Sequence, residues 1–263
     1  MERAWGAPGG LAATLTHYPG AGKHPLHSHD HLQVSFVLAG DLVEELEGRE
    51  HLACAGARGH KPAGARHRDS WGDQGVLIFT LRLWDPEEQW EPRWTMGGRL
   101  GSVAPLVRIF AQEAAPDRRE EAAADLLSGT LPVELPRGSP PAWLERARAS
   151  IHDAPELLRI AEAASEGGVN VTHLSRMFRR FYGMPPSIYR RRVLLGRAAC
   201  ALGRSQVPLA HVAVKAGFYD QAHLSRVMRT EIGLTPAQAR ALLTEPDLYN
   251  TGPRASLRRL AKL

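Results

Sequence analysis

Cysteine is nearly absent: the 263 residues hold two, Cys54 and Cys200, far apart in sequence and in unlike settings. Such a pair builds no disulfide framework and no paired metal motif, and it suits a reducing cytoplasm. No run of eighteen apolar residues occurs, which excludes an ordinary membrane-spanning helix. The opening MERAWGAPGG has no apolar stretch after its charges, so no secretory signal is expected. Lysine is scarce beside arginine and alanine, the bias of a GC-rich bacterial genome. What is present is apolar material, 43% of the chain. That is enough for real cores, and the length fits one large domain or two ordinary ones.

Charge is distributed unevenly. Residues 1–141 carry 14 Lys and Arg against 19 Asp and Glu, whereas residues 142–241 carry 15 against 7; the tail, 242–263, has 4 against 2. A basic C-terminal half joined to an acidic N-terminal half is what a polyanion-binding module on a separate partner domain would give. Solvated surface charge would give the same count, so charge alone does not decide.

The patterning divides the chain further. From about 11 to 95, LQVSFVLAG, DLVEELEGREH and GVLIFTLRLW read as strands broken by Gly, Pro and Asp. From 99 to 130 the apolar spacing becomes three and four, in Val103, Leu106, Val107 and Phe110, then in Ala123, Leu126 and Leu127, with Pro116 between two helices. LPVELPRGSPP, residues 131–141, is an extended linker by composition. Residues 142–244 read as helix and turn, followed by a basic tail at 245–263. The expected architecture is α+β in two parts: a β-rich segment over 1–98 with flanking helices, then an all-α segment.

The all-α segment contains an internal repeat. THLSRMFRRFYGMPP, from Thr172, and AHLSRVMRTEIGLTP, from Ala222, lie fifty residues apart and share His173/His223, Leu174/Leu224, Ser175/Ser225, Arg176/Arg226, Arg179/Arg229, Gly183/Gly233 and Pro186/Pro236. Seven identities in fifteen positions argue for two copies of one structural device. In the second copy Leu209, Val212, Ala213 and Ala216 mark one face of a short helix, Gly217 supplies a turn, and Asp220 is a good N-cap for a helix starting near Gln221. Leu224, Val227 and Met228 point inward. This is a helix-turn-helix layout. Its outward face offers Gln221, Ala222, His223, Ser225, Arg226 and Arg229; Arg226 suits guanine, Gln221 adenine, and the later arginine phosphate. The first copy turns at Gly168, buries Leu174, Phe178 and Phe181, and exposes Thr172, Ser175, Arg176, Arg179 and Arg180. Between the copies, PSIYRRRVLLGRAACAL reads as one connecting helix with Ile188, Val193, Leu194 and Ala198 inward and a basic shoulder from Tyr189 to Arg192. Such a connector would set both recognition helices about 34 Å apart for one face of a duplex.

These residues resemble the AraC/XylS family of bacterial transcription regulators. GFYDQAHLSRVMRTEIGLTP is close to the family signature, with Ala222 where Ser is usual and Met228 where Phe is usual; the first copy resembles its partner unit with a turn one residue shorter. The resemblance covers residues 145–241. It implies a sequence-specific DNA-binding transcription factor in which Thr172, Ser175 and Arg176, with Ala222, His223 and Arg226, face the bases, while His173 either packs or reads. It further implies double-stranded DNA, a small-molecule effector, RNA polymerase and a second copy of the chain as partners, and no catalysis. Some relatives join this DNA module to alkyl transfer by a reactive cysteine, but neither Cys54 nor Cys200 has the cationic setting that chemistry needs.

Many members carry an N-terminal cupin barrel. HSHDHLQVSFVLAG and GARGHKPAGARH look like the two cupin motifs, with Gln33 in place of the usual glutamate. The matching residues His27, His29, Gln33 and His67 would converge on a divalent metal, Zn, Fe, Ni or Mn. The alternative keeps the barrel without the metal, because neutral Gln weakens a cation site. His24, His31 and His60 read as surface residues, Pro62 and Gly64 as turn formers, and Trp71, Phe79 and Phe36 as pocket lining or core. Leu106, Val107 and Phe110 could cover the barrel or form a dimer interface. A metal-dependent cupin enzyme fused to a DNA-binding module is the competing reading.

Overall fold

The computed structural model describes residues 2–6, 10–84, 86, 90–95, 103–128, 139–155, 159–204 and 206–244; the expected tail and most of the proline-rich linker (131–138) lie outside them. Among the described residues the first part is one antiparallel sheet. Its strands are β1 (Glu2–Gly6), β2 (Leu11–Tyr18), β3 (Gly22–Lys23), β4 (Leu32–Leu46), β5 (Arg49–Cys54), β6 (Arg58–Lys61), β7 (His67–Leu83) and β8 (Arg93–Thr95). The order is β1-β2-β7-β4-β6-β8, with β3 on β7 and β5 on β4. The runs LQVSFVLAG and DLVEEL, expected as separate strands, form the single fifteen-residue β4. It pairs with the seventeen-residue β7 along nearly its whole length, through register shifts at Val37/Ala39 and Gly40/Leu42. Bulges sharpen twist and bend, so two long strands serve both halves of a curled, barrel-like sheet.

Nine helices follow among the described residues: α1 (Ala104–Ala111), α2 (Pro116–Ser128), α3 (Ala142–Asp153), α4 (Ile160–Glu166), α5 (Val171–Tyr182), α6 (Pro186–Arg204), α7 (Leu209–Lys215), α8 (Gln221–Glu231) and α9 (Pro236–Thr244). Pro116 opens α2 rather than lying between helices, at the position where a missing N–H costs nothing. Leu106, Val107 and Phe110 are fully buried within the chain, with Phe110 against Trp5 and Phe79 at 6.0 and 5.8 Å between ring centroids. That stripe covers the sheet and is not free to dimerise.

The connector α6 is the centre of the molecule. It lies directly on β4, where a Cβ added at Gly196 would come 3.0 Å from the backbone nitrogen of Gly40. Two apolar cores meet along it. In one, Phe79, Leu81 and Phe110 continue through Leu195 and Leu202 to Val212, Leu224 and Met228. In the other, Val37, Leu42 and Val76 continue through Tyr189 and Val193 to Leu144, Ile151, Leu174 and Phe178. The basic shoulder is corrected here: Tyr189 and Arg192 are buried. Arg192 donates to the Ala55 carbonyl at 2.6 Å and approaches the Met184 sulfur at 3.1 Å.

Two outcomes follow from this docking. Gly196→Leu forces side-chain volume into the α6–β4 contact and should destabilise by about 1–3 kcal/mol in urea unfolding. His17, on β2 beneath Gly203, is lowered to about 4, chiefly by burial. An unfolded histidine titrates near 6.5, so the native state binds fewer protons between that pH and about 4. Its contribution is therefore complete above pH 6.5 and lost as pH falls toward 4. Between pH 7.5 and 5 this residue should remove about 2 kcal/mol, and His17→Gln should flatten the measured slope.

Candidate functional site

The two helix-turn-helix units are built alike. α4 and α5 are joined by residues 167–170, with Gly168 at φ 68°; α7 and α8 are joined by 216–220, with Gly217 at φ 91°. Left-handed backbone at that point is what glycine permits without a Cβ penalty. The first turn is one residue shorter, as the resemblance implied. Each second helix is capped by its preceding side chain: the His173 N–H donates to Asn170 Oδ1 at 2.8 Å and the His223 N–H to Asp220 Oδ1 at 2.7 Å. Capping fixes where each recognition helix starts and hence which residues lead it.

Burial along the two helices is matched. Thr172, Arg176, Arg179 and Arg180 are exposed on α5; Gln221, Ala222, Arg226 and Arg229 are exposed on α8; Ser175 and Ser225 are half-buried. His173 and His223 are half-buried too, His173 against Trp143 (5.7 Å) and His223 edge-on to Phe218 (5.3 Å). Both histidines thus pack against an aromatic ring below the face where the arginines stand. Arg176 Nη2 donates to His173 Nδ1 at 3.0 Å, which orients the guanidinium. In the first unit Phe181 is only half-buried, and Tyr182 fills the core place expected of it.

In the sheet, His27, His29 and His67 bring one ring nitrogen each within 4.8 Å of the others. His27 and His67 are backbone partners, each N–H donating to the other's carbonyl at 2.9 Å. His27 Nδ1 donates to the Pro25 carbonyl at 2.8 Å and His67 Nδ1 to that of Ala65 at 3.3 Å. A carbonyl accepts only from N–H, so both rings keep the lone pair on Nε2, the arrangement that orients metal-ligating imidazoles. Burial chiefly, then neighbouring positive groups, lowers His29 to about 3 and His67 to about 4, which keeps both neutral. Gln33 turns its Nε2 to Ser35 Oγ (3.3 Å) and leaves its buried Oε1 without a partner among the described residues. Three imidazoles, two of them held neutral, and an orphaned amide oxygen fit a divalent transition metal.

Comparison with known proteins bears on both regions. Residues 142–241 match the family model described as a helix-turn-helix domain. The probable transcription factor PqrA of Proteus vulgaris is 31% identical over 94 residues, which cover 36% of this chain and 77% of that protein. The chain belongs to the AraC/XylS family of transcription regulators. The transcriptional activator RhaR of Salmonella arizonae is 22% identical over 251 residues, covering 84% of this regulator and 88% of RhaR. Among solved structures, the sheet is similar to a cupin superfamily protein from Desulfitobacterium hafniense (12% identity, 32% of this chain and 77% of that one, TM-score 0.30). It is likewise similar to an RmlC-like cupin from Shewanella frigidimarina (21%, 33% and 77%, 0.30).

The regulator's sheet also holds residues that the motifs did not single out. Lys61 and Glu44 form a buried ion pair at 2.9 Å, and Trp94 Nε1 donates to the other Glu44 oxygen. Burial raises Glu44 to about 7 against the pull of Lys61. Asp69 joins Glu44 and His67 in a second close group. The signal was spacing: Asp69 stands two residues from His67 on one strand, hence on the same face. His31 and His60, expected at the surface, are buried, against Trp84 and Trp90 respectively. Phe36 and Phe79 are core, whereas half-buried Trp71 stacks on Tyr18 at 4.3 Å. Gly64 takes a positive φ in a turn closed by Ala65 N–H to the Pro62 carbonyl. Cys54 is buried and its thiol pushed up to about 12 by burial; Cys200 is raised for the same reason. Thiolate chemistry is thereby suppressed at both. No helix among the described residues is long and apolar enough to cross a membrane.

The caps give a direct test of how recognition is positioned. Asn170→Ala and Asp220→Ala should each cost about 1 kcal/mol in urea unfolding, as one helix-start donor loses its partner.

Proposed function

We propose that this regulator binds a specific duplex through α5 and α8 and answers to a ligand or divalent metal held at the histidine site of the sheet. The observation that supports it best is the matched pair of capped helices, each presenting an exposed arginine, Arg176 and Arg226, at the same place. In this reading Thr172, Ser175 and Arg176, and Gln221, Ala222 and Arg226, meet base edges. Arg179, Arg180 and Arg229 meet phosphates, and His173 and His223 support the reading face. A metal would be held by His27, His29 and His67 with Gln33, and would there polarise an oxygen-bearing effector as a Lewis acid. RNA polymerase and a second copy of the chain are partners of the same proposal; a dimer needs a surface other than the Leu106 stripe.

Selection and sequencing of bound genomic fragments tests the reading; only sequence-blind binding would overturn it. On a selected site, Arg226→Ala should cost about 1–3 kcal/mol and relax one base position. Arg229→Ala should weaken all sequences alike and reduce the salt slope by about 1. At the sheet, His67→Ala should abolish calorimetric Zn²⁺ or Co²⁺ binding, and Gln33→Glu should tighten it by about tenfold or more. The histidine site is also what a metal-dependent enzyme would use. Stoichiometric metal with turnover lost in His67→Ala, while DNA regulation persists, would establish that second reading.

A further inference from the structure

The sheet does not close completely on α3 and α6, the helices that carry the first helix-turn-helix unit. Between them runs a cleft of about 560 Å³, a volume suited to one small ligand. Asp41, Val43, Leu52 and Trp71 line it from the sheet. Arg148 and His152 of α3 and Arg197 of α6 line it from the other side, and exposed Asp73 and Asp153 reach its rim. A second cleft shares Leu52 and Arg148 and continues to Cys54, Phe181 and Tyr182, so Arg148 stands between the two.

One carboxylate of the chain already occupies the cationic corner. Asp41 Oδ2 lies 3.5 Å from Arg148 Nη1, 3.3 Å from His152 Nδ1 and 3.3 Å from the hydroxyl of buried Tyr189, which donates to it. The same group is closed by Arg148 Nη1 to the Tyr189 hydroxyl at 3.0 Å and by that hydroxyl's contact with His152 at 3.2 Å. Charge-assisted bonds settle near 2.7–2.9 Å when fully formed. All three side-chain contacts to Asp41 are longer, so none of them is a tight charge-assisted bond. Leu52, 41% exposed, offers an apolar wall beside it.

We propose that this cleft is a ligand site separate from the histidine site, taking a small organic carboxylate. The head group of the ligand replaces Asp41 on Arg148, His152 and Tyr189, and its apolar body lies on Val43, Leu52 and Trp71. Displacing Asp41 cuts the polar link between β4 and α3, and so loosens the first helix-turn-helix unit from the sheet. The site thereby couples ligand to DNA without involving His27, His29 or His67.

Calorimetric titration of the full chain with cyclohexanecarboxylate, and with its neutral amide, tests this. The acid should bind and the amide should not. Asp41→Asn removes the competing anion while keeping its shape, and should tighten the acid by about tenfold; Arg148→Met should abolish its binding. A merely structural Asp41 would give the opposite sign, because its loss would only disorder the cleft. Binding of the acid to Asp41→Asn that is absent, or no tighter than to the wild type, overturns the proposal, as does an amide that binds equally. His67→Ala should leave acid binding unchanged. If that variant abolishes it, the acid sits at the histidine site and the cleft proposal fails while the reading of the sheet as a sensor survives.

Discussion

The close approach of α6 to β4 governs the rest of the molecule. Gly196 lets the α6 backbone meet that of β4 at Gly40 without a side chain between them. Because α6 is also the shared wall of both helix-turn-helix units, a shift of β4 is a shift of the frame on which both recognition helices stand. Arg192 makes the register strict. Its buried guanidinium donates to the Ala55 carbonyl, and burial lowers its pKa. A buried charge that loses its hydrogen-bond partner is costly. Sliding α6 along the sheet would strand that guanidinium, so the docking behaves as a discrete arrangement rather than a soft contact.

The curled sheet is lined differently from a simple apolar core. Lys61, Glu44, Asp69 and His67 place charge and imidazole side by side. Such groups are tolerated in a low-dielectric interior only as a mutually satisfied network or against a bound polar partner. Gln33 Oε1 and Asp69 Oδ1, buried without a hydrogen-bond partner among the described residues, are points at which such a lining is incomplete. A chamber of this kind is expensive in stability and is understandable where something polar enters it. Neutral His29 and His67 suit a cation, which protonated imidazoles would repel.

The DNA-binding half was legible because its determinants are local. Gly168 and Gly217 mark the turns, Asn170 and Asp220 cap the helices, and the fifty-residue repeat places each against its twin, all within a few residues of where they act. The histidine motifs were legible from their match to a known pattern, although His27 forms only an isolated bridge to His67 and His29 lies in irregular chain rather than on a strand. The docking was not. Tyr189 and Arg192 look like a solvated shoulder until Asp41 and Ala55, more than 130 residues away, supply their partners. The Leu106 stripe shows that a helix hides an apolar face, and no local rule says whether it hides it against its own sheet or another chain. One signal was available: α6 carries Val193, Leu194, Leu195 and Gly196, then Ala198, Ala199 and Cys200 after a single arginine, and a helix apolar on several faces is a buried helix. Gln33, matched to a ligand by alignment with a motif, turned its amide nitrogen to Ser35, a choice that only the packed interior decides.

The two helix-turn-helix units are held to the sheet by different physics. The second joins through apolar packing: Phe110, Leu224 and Met228 lie in one continuous core, and Gly233 lets the turn after α8 approach the Ala104 carbonyl. The first joins through an apolar core as well, but its outer edge is the polar set of Asp41, Arg148, His152 and Tyr189. Apolar burial is insensitive to small changes in charge, whereas a loosely bonded carboxylate beside a cleft answers to any competing anion. The asymmetry assigns the roles. On the cleft proposal the second unit is the fixed one and the first is the one whose attachment a bound molecule would alter, so that ligand would change how many recognition helices are held ready for the duplex.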